Sequence, residues 1–192
     1  MSWRAWSAPC LLLALSTGAG AQTPVPAMPM ENPEHHLEDP RWYWNINTGI
    51  VVPDDSLQAN DASVTDVRIG KPVNGRWTVE VEYFRDEYDF DIDYGLRHTG
   101  VNVNVLQMNY EPLWNPYFLL GVGMIRHRSP EDSGTNAAFN VAIGGSWYVF
   151  GDNVRLRAEA RLRMDLNDTG LPGQDGWGDG QFTLGLQVPL GE

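Results

Sequence analysis

The sequence predicts an all-β chain, an eight-stranded antiparallel up-and-down transmembrane β-barrel, and three observations carry that expectation. The first is strict alternation from Val154 to Leu166. Val154, Leu156, Ala158, Ala160, Leu162, Met164 and Leu166 take one parity, while Arg155, Arg157, Glu159, Arg161, Arg163 and Asp165 take the other. A period of two puts the sets on opposite faces of a strand, whereas on a helix the charges would lie all round. The second is that short connections alternate with long acidic ones, as in outer-membrane barrels. The third is a set of glycines on the polar parity, with aromatics near the strand ends on the apolar one.

The chain opens with a segment expected to be removed. Arg4 supplies a positive start, Cys10–Leu15 a short apolar core, and Ala19-Gly20-Ala21 a small-residue cleavage site, so residues 1–21 read as a signal peptide. The apolar run is far shorter than the roughly 20 residues of a membrane-spanning helix. Cys10 is the one cysteine and leaves with this peptide, so the exported chain needs no disulfide. Loss of Arg4 takes the formal charge from −12 to −13, which argues against a nucleic-acid partner. Residues 22–40 are rich in proline and polar side chains and read as a flexible leader, with His35-His36 a solvated pair. The barrel domain is placed at residues 41–192.

Within it the expected strands run 41–52, 62–72, 76–86, 97–110, 115–126, 136–150, 153–166 and 180–190. The first sets Trp42, Trp44, Ile46, Ile50 and Val52 against Tyr43, Asn45, Asn47 and Gly49. The third sets Trp77, Val79, Val81 and Tyr83 against Thr78, Glu80 and Glu82. In the fourth, Val101, Val103 and Val105 alternate with Asn102 and Asn104 until the parity flips at Leu106, and a β-bulge near Val105–Leu106 is the simplest repair. The fifth sets Phe118, Leu120, Val122 and Met124 against Gly121 and Gly123. The sixth sets Phe139, Val141, Ile143, Trp147 and Val149 against Asn140, Ala142, Gly144 and Ser146. The last sets Phe182, Leu184, Leu186 and Val188 against Gln181, Thr183, Gly185 and Gln187.

Short connections follow strands two, four and six, and long acidic ones follow strands one, three, five and seven. Gly151-Asp152 suits a two-residue hairpin that pairs Val149 with Val154 and Ser146 with Arg157. At Val73-Asn74-Gly75 a three-residue turn with Gly75 left-handed keeps like faces together, pairing Arg68 with Glu80 and Ile69 with Val79. Alternation alone does not say which face is inside, since a soluble periplasmic lipocalin-like binding barrel alternates too. Gly49, Gly70, Gly121, Gly123, Gly144 and Gly185 sit on the polar parity, where they make room for opposed side chains in a narrow lumen. Trp42, Trp44, Trp77, Tyr83 and Trp147 lie near apolar strand ends, where membrane interfaces favour aromatics. Each arginine turned to mid-membrane hydrocarbon would cost about 2–4 kcal/mol, so the charged face is expected inside.

Several segments resemble the N-terminal barrel of the OmpA family of outer-membrane proteins. They are Asn115-Pro116-Tyr117 leading into Gly121-Val122-Gly123, Asn136–Gly145, Val154–Arg163, and the closing Leu184-Gly185-Leu186 and Pro189-Leu190-Gly191. The resemblance runs from Trp42 to Gly191, as a pattern rather than a motif. It implies a carboxylate on strand three and an arginine on strand seven paired across the lumen, which here fall on Glu80 or Glu82 and on Arg157. Family members are often followed by a peptidoglycan-binding domain; none follows Glu192, so no cell-wall contact is carried over. The last strand also departs from barrels that end on an aromatic residue.

A lumen network of Arg68, Glu80, Glu82, Arg155, Arg157, Glu159 and Arg161 is therefore expected, neutralising the interior and blocking a continuous water path. It is read either as a static polar core or as a gate on a narrow pore. The expected function is a structural, non-enzymatic outer-membrane barrel needing no cofactor or metal. It would be monomeric, with outer-membrane lipid and lipopolysaccharide as its partners. Asp86–Asp93 reads as a solvated acidic loop that could hold bridging cations but is not an EF-hand. The alternative, a lipid A-modifying enzyme, would need a nucleophile, a histidine and an acid near the outer leaflet. His127, Ser129 and Glu131 are the compact candidates, with His98 beside Thr99 a weaker one. Eight strands are too few for an open porin-like channel.

Overall fold

The computed structural model describes residues 41–53, 61–89, 96–109, 114–128, 133–150, 153–166 and 178–191. Eight strands follow in chain order: β1 Tyr43–Val52, β2 Asp61–Asn74, β3 Trp77–Asp89, β4 Leu96–Met108, β5 Asn115–Arg128, β6 Ser133–Phe150, β7 Val154–Asp165 and β8 Gly178–Pro189. Every strand pairs antiparallel with its neighbours, and β1 pairs with β8 to close the barrel. Closure leaves no sheet edge, so every strand's backbone groups are satisfied between strands, the condition for crossing hydrocarbon. The strands lie where the period-two pattern put them, several running two or three residues further toward the long connections. The turn at Gly151-Asp152, the leader and the signal segment lie outside the described residues.

The faces are those the sequence implied. Ile46, Ile50, Val67, Val81, Val103, Val122, Ile143, Leu184 and Phe182 point outward and are exposed. Asn45, Asn47, Arg68, Glu80, Glu82, Asn102, Asn104, Asn140, Arg157 and Glu159 point inward and are buried. This is the reverse of a water-soluble core, and on each strand it follows from the parity alone.

Three local expectations need correction. No bulge interrupts β4: its ladders with β3 and β5 run unbroken through Val105 and Leu106. Leu106 and Met108 instead face inward with Tyr117, Leu119 and Ala142, forming an apolar cluster at the short-turn end. The hydrophobicity changed parity while the geometry did not, because the end of a narrow lumen is filled by packed side chains. A second inward cluster of Val51, Ala62, Val64, Phe84, Tyr88, Leu96, Ile125 and Ala138 lies toward the long connections.

The β2–β3 turn is also tighter than expected. Arg68 stands opposite Glu82 and Ile69 opposite Val81, two positions from the anticipated pairs, with an irregularity between Pro72 and Asn74. The turn is Gly75-Arg76, and Gly75 is not left-handed; among the described glycines only Gly191 has positive φ. The Asn74 side-chain oxygen accepts from the backbone N–H of Arg76 and of Trp77, both at 3.1 Å, which replaces the turn chemistry asked of glycine. A shift of two keeps every side chain on its face, so parity could not detect it. At the β6–β7 end Ser146 does face Arg157, but Phe150 rather than Val149 faces Val154, with an irregularity after Tyr148.

Candidate functional site

Strands three and seven lie diametrically opposite in an eight-strand ring, so long side chains from β3 and β7 meet on the axis. Arg157 reaches across to Glu80, touching one carboxylate oxygen closely and the other at 3.2 Å. Its remaining donors go to Glu159 at 3.0 Å and to the Tyr117 hydroxyl at 2.7 Å. Arg161 donates to Glu82 at 2.6 and 2.7 Å and to Glu159 at 2.9 Å. Arg68, from β2, bonds Asp66 at 2.7 Å and Glu159 at 2.8 Å. All of these groups are buried.

Of the seven residues expected in this network, six meet and one does not. Arg155 is half-buried, stacks 4.4 Å over the Tyr148 ring and bonds its hydroxyl. Among the described residues it makes no ion pair, because its place in β7 is nearest the short turn, below the carboxylates. Its inward parity was right, but its height along the barrel was not.

Three charged groups of this network escaped the sequence reading. Arg163 pairs with Asp86 at 2.5 Å and lies 3.5 Å over the Phe84 ring, and Asp66 anchors Arg68. Asp86 therefore belongs to the lumen and not to the acidic loop, whose residues 90–93 lie outside the described residues. The central network thus sets Arg68, Arg157, Arg161 and Arg163 against Asp66, Glu80, Glu82, Asp86 and Glu159. Four cations against five anions come close to neutral, which is what allows charges to persist away from water.

Two tyrosines tie this network to the wall. Tyr43 stands directly opposite Gly70, and Tyr117 directly opposite Gly144. A Cβ at either glycine would collide with the tyrosine ring, so the absent side chain lets each ring lie flat across the neighbouring strand. So placed, the Tyr43 hydroxyl donates to Glu80 at 2.5 Å and Tyr117 to Glu159 at 2.8 Å. Phe84 lies over Gly100 in the same way, and Gly100 was not among the expected glycines.

Nearer the long connections a second tier is built from Tyr88, His98, His127 and Asp165, all buried. His127 Nε2 lies 2.7 Å from Asp165, and its ring meets His98 edge-on at 4.4 Å. His127 therefore faces the lumen, while Arg126 and Arg128 on either side face outward. Of the residues named for the enzyme alternative, Ser129 and Glu131 lie outside the described residues. Among the described residues no group of acids, histidines or cysteines is arranged to hold a metal ion.

No protein-family profile matches the sequence, and no curated protein matches it. Solved structures do. Neisserial surface protein A superimposes with a TM-score of 0.66 at 16% identity, over 78% of this chain and 97% of that one. Ail, the attachment invasion locus protein of Yersinia pestis, crystallised with the heparin analogue sucrose octasulfate, gives 0.50 at 13% identity, over 78% and 97%. The N-terminal β-barrel domain of Pseudomonas aeruginosa OprF gives 0.47 at 15%, over 77% and 97%. The chain has the OmpA-like fold of small eight-stranded outer-membrane β-barrels.

Proposed function

We propose that this OmpA-like barrel is a structural, non-enzymatic protein of the bacterial outer membrane, with a sealed lumen and its long acidic loops directed outward. Residues 1–21 direct export and are removed, 22–40 form a leader, and 41–192 make one monomeric barrel whose partners are outer-membrane lipid and lipopolysaccharide. The observation that carries this reading is the inverted burial. Ile143, Val122 and Ile50 are 65%, 61% and 60% exposed, while Arg68, Glu80 and Glu82 are at most 1% exposed. Three to six outward apolar positions per strand make a band of the height hydrocarbon requires.

The sealed lumen is supported by three stacked layers: the apolar cluster around Leu106 and Leu119, the ion-pair network, and the apolar cluster around Phe84 and Ile125. The inward His127–Asp165 pair supports the non-enzymatic reading. The test is fractionation of cells followed by gel migration with and without heating. A membrane barrel sediments with the outer membrane and migrates differently until boiled. Recovery in the soluble periplasm, with no heat-dependent shift, overturns the reading.

A further inference from the structure

At the end from which the long connections leave, the outward apolar band gives way, among the described side chains, to charge on three adjacent strands. Arg85 and Glu87 on β3, Arg97 on β4, and Arg126 and Arg128 on β5 all face outward and are exposed. Register aligns them in two rows around the barrel: Arg85, Thr99 and Arg126, then Glu87, Arg97 and Arg128. The row beneath is Tyr83, Val101 and Met124, all exposed and part of the hydrocarbon-facing band. At the same height, outward positions on β2 and β6 hold Ser63, Thr65, Ser133 and Thr135, and on β8 Gly178 and Gly180. The cations are therefore gathered on one side, at the end from which the long connections leave.

Glu87 offsets part of this charge through Arg85 and, at 3.3 Å, Arg97. Among the described residues Arg126 and Arg128 pair with no carboxylate. Among the described side chains, four arginines and one glutamate thus share a patch whose backbone spans about 10 Å across three strands and about 7 Å along them. This local excess stands on a chain of net charge −12. Arginine is costly against mid-membrane hydrocarbon, but the penalty falls to about 0–1 kcal/mol at the interface, so the patch sits at headgroup height. There a guanidinium grips phosphate through two parallel hydrogen bonds, which an ammonium cannot do.

We propose that Arg97, Arg126 and Arg128 form a binding site for the phosphates of a phosphorylated glycolipid headgroup in the outer leaflet. Tyr83, Val101 and Met124 receive the start of its acyl chains. This inference rests on the outer-membrane placement proposed above, with the long connections outward.

The test is titration of the purified, folded barrel in neutral-detergent micelles with diphosphoryl lipid A, bound lipid being read by native mass spectrometry. Binding should be saturable, weaken as salt rises, and fall about ten-fold or more in R126Q/R128Q, since each lost charge-assisted bond is worth roughly that much. R76Q, which removes an exposed arginine at the opposite end, should bind as wild type does. Should the double variant not fold, judged by unheated gel migration, R97Q serves in its place. Loss of less than about three-fold, an equal loss in R76Q, or equal affinity for phosphatidylglycerol overturns the proposal. Because binding is read on the isolated barrel, a wrong cellular location fails the fractionation test and leaves this titration unaffected.

Discussion

Arg157 shows how one side chain is fixed by partners from three strands: Glu80 on β3, Tyr117 on β5 and Glu159 on its own strand. Truncating it takes the close cation from buried Glu80, with Arg68 left 3.9 Å away, so Arg157→Ala should cost about 3–5 kcal/mol in urea unfolding of the folded barrel. The exposed Arg85–Glu87 pair is a contrast, and Arg85→Ala should change stability by at most about 1 kcal/mol. Gly144→Ala drives a Cβ into the Tyr117 ring and should cost about 1–3 kcal/mol by the same measurement. Gly75→Ala, with open space at that position, should be close to neutral. Parity sufficed to place Glu80, Arg157 and their neighbours inside. It could not say that Arg163 reaches Asp86 while Arg155 meets Tyr148, because partner choice depends on height along the axis, which a period of two does not encode.

At the scale of the strand, β7 was legible because its charges leave one face no alternative. β4 was less so, because an apolar side chain such as Leu106 can face hydrocarbon or a packed lumen at little cost, whereas a charged one cannot. The bulge expected there was a consequence of assuming that apolar means outward. Turn geometry was misjudged at Gly75 for a related reason: a register shift of two preserves both faces, and the Asn74 side chain replaced the glycine conformation. Two substitutions separate the kinds of apolar position. Leu119 is wholly buried and Leu184 is 58% exposed. Leu119→Ala should cost about 2–5 kcal/mol, as in a soluble core. Leu184→Arg should cost about 2–4 kcal/mol only when the barrel is embedded in lipid, judged by comparing unfolding in bilayers with unfolding in micelles.

For the molecule as a whole, the proposed seal rests on layers rather than on one ion pair. Planar-bilayer recordings of wild type, Glu80→Ala and Arg157→Ala should all show no sustained conductance, since the apolar clusters above and below the network remain. A steady current in either variant would restore the gate reading. The loops were legible in sequence only as lengths and charges, whereas the outward arginine patch needed the register to bring three strands together. Underlying all of this is one orientation, apolar outward and charge enclosed. It is tested most directly with single spin labels, since residues 41–192 carry no native cysteine. Labels would replace Leu120, Val122 and Met124 on β5, and Leu184 and Leu186 on β8, in lipid bilayers. The account predicts that all five are relaxed by membrane-dissolved oxygen and shielded from a water-soluble nickel chelate. Access of the nickel chelate to these positions, with oxygen excluded, would contradict it.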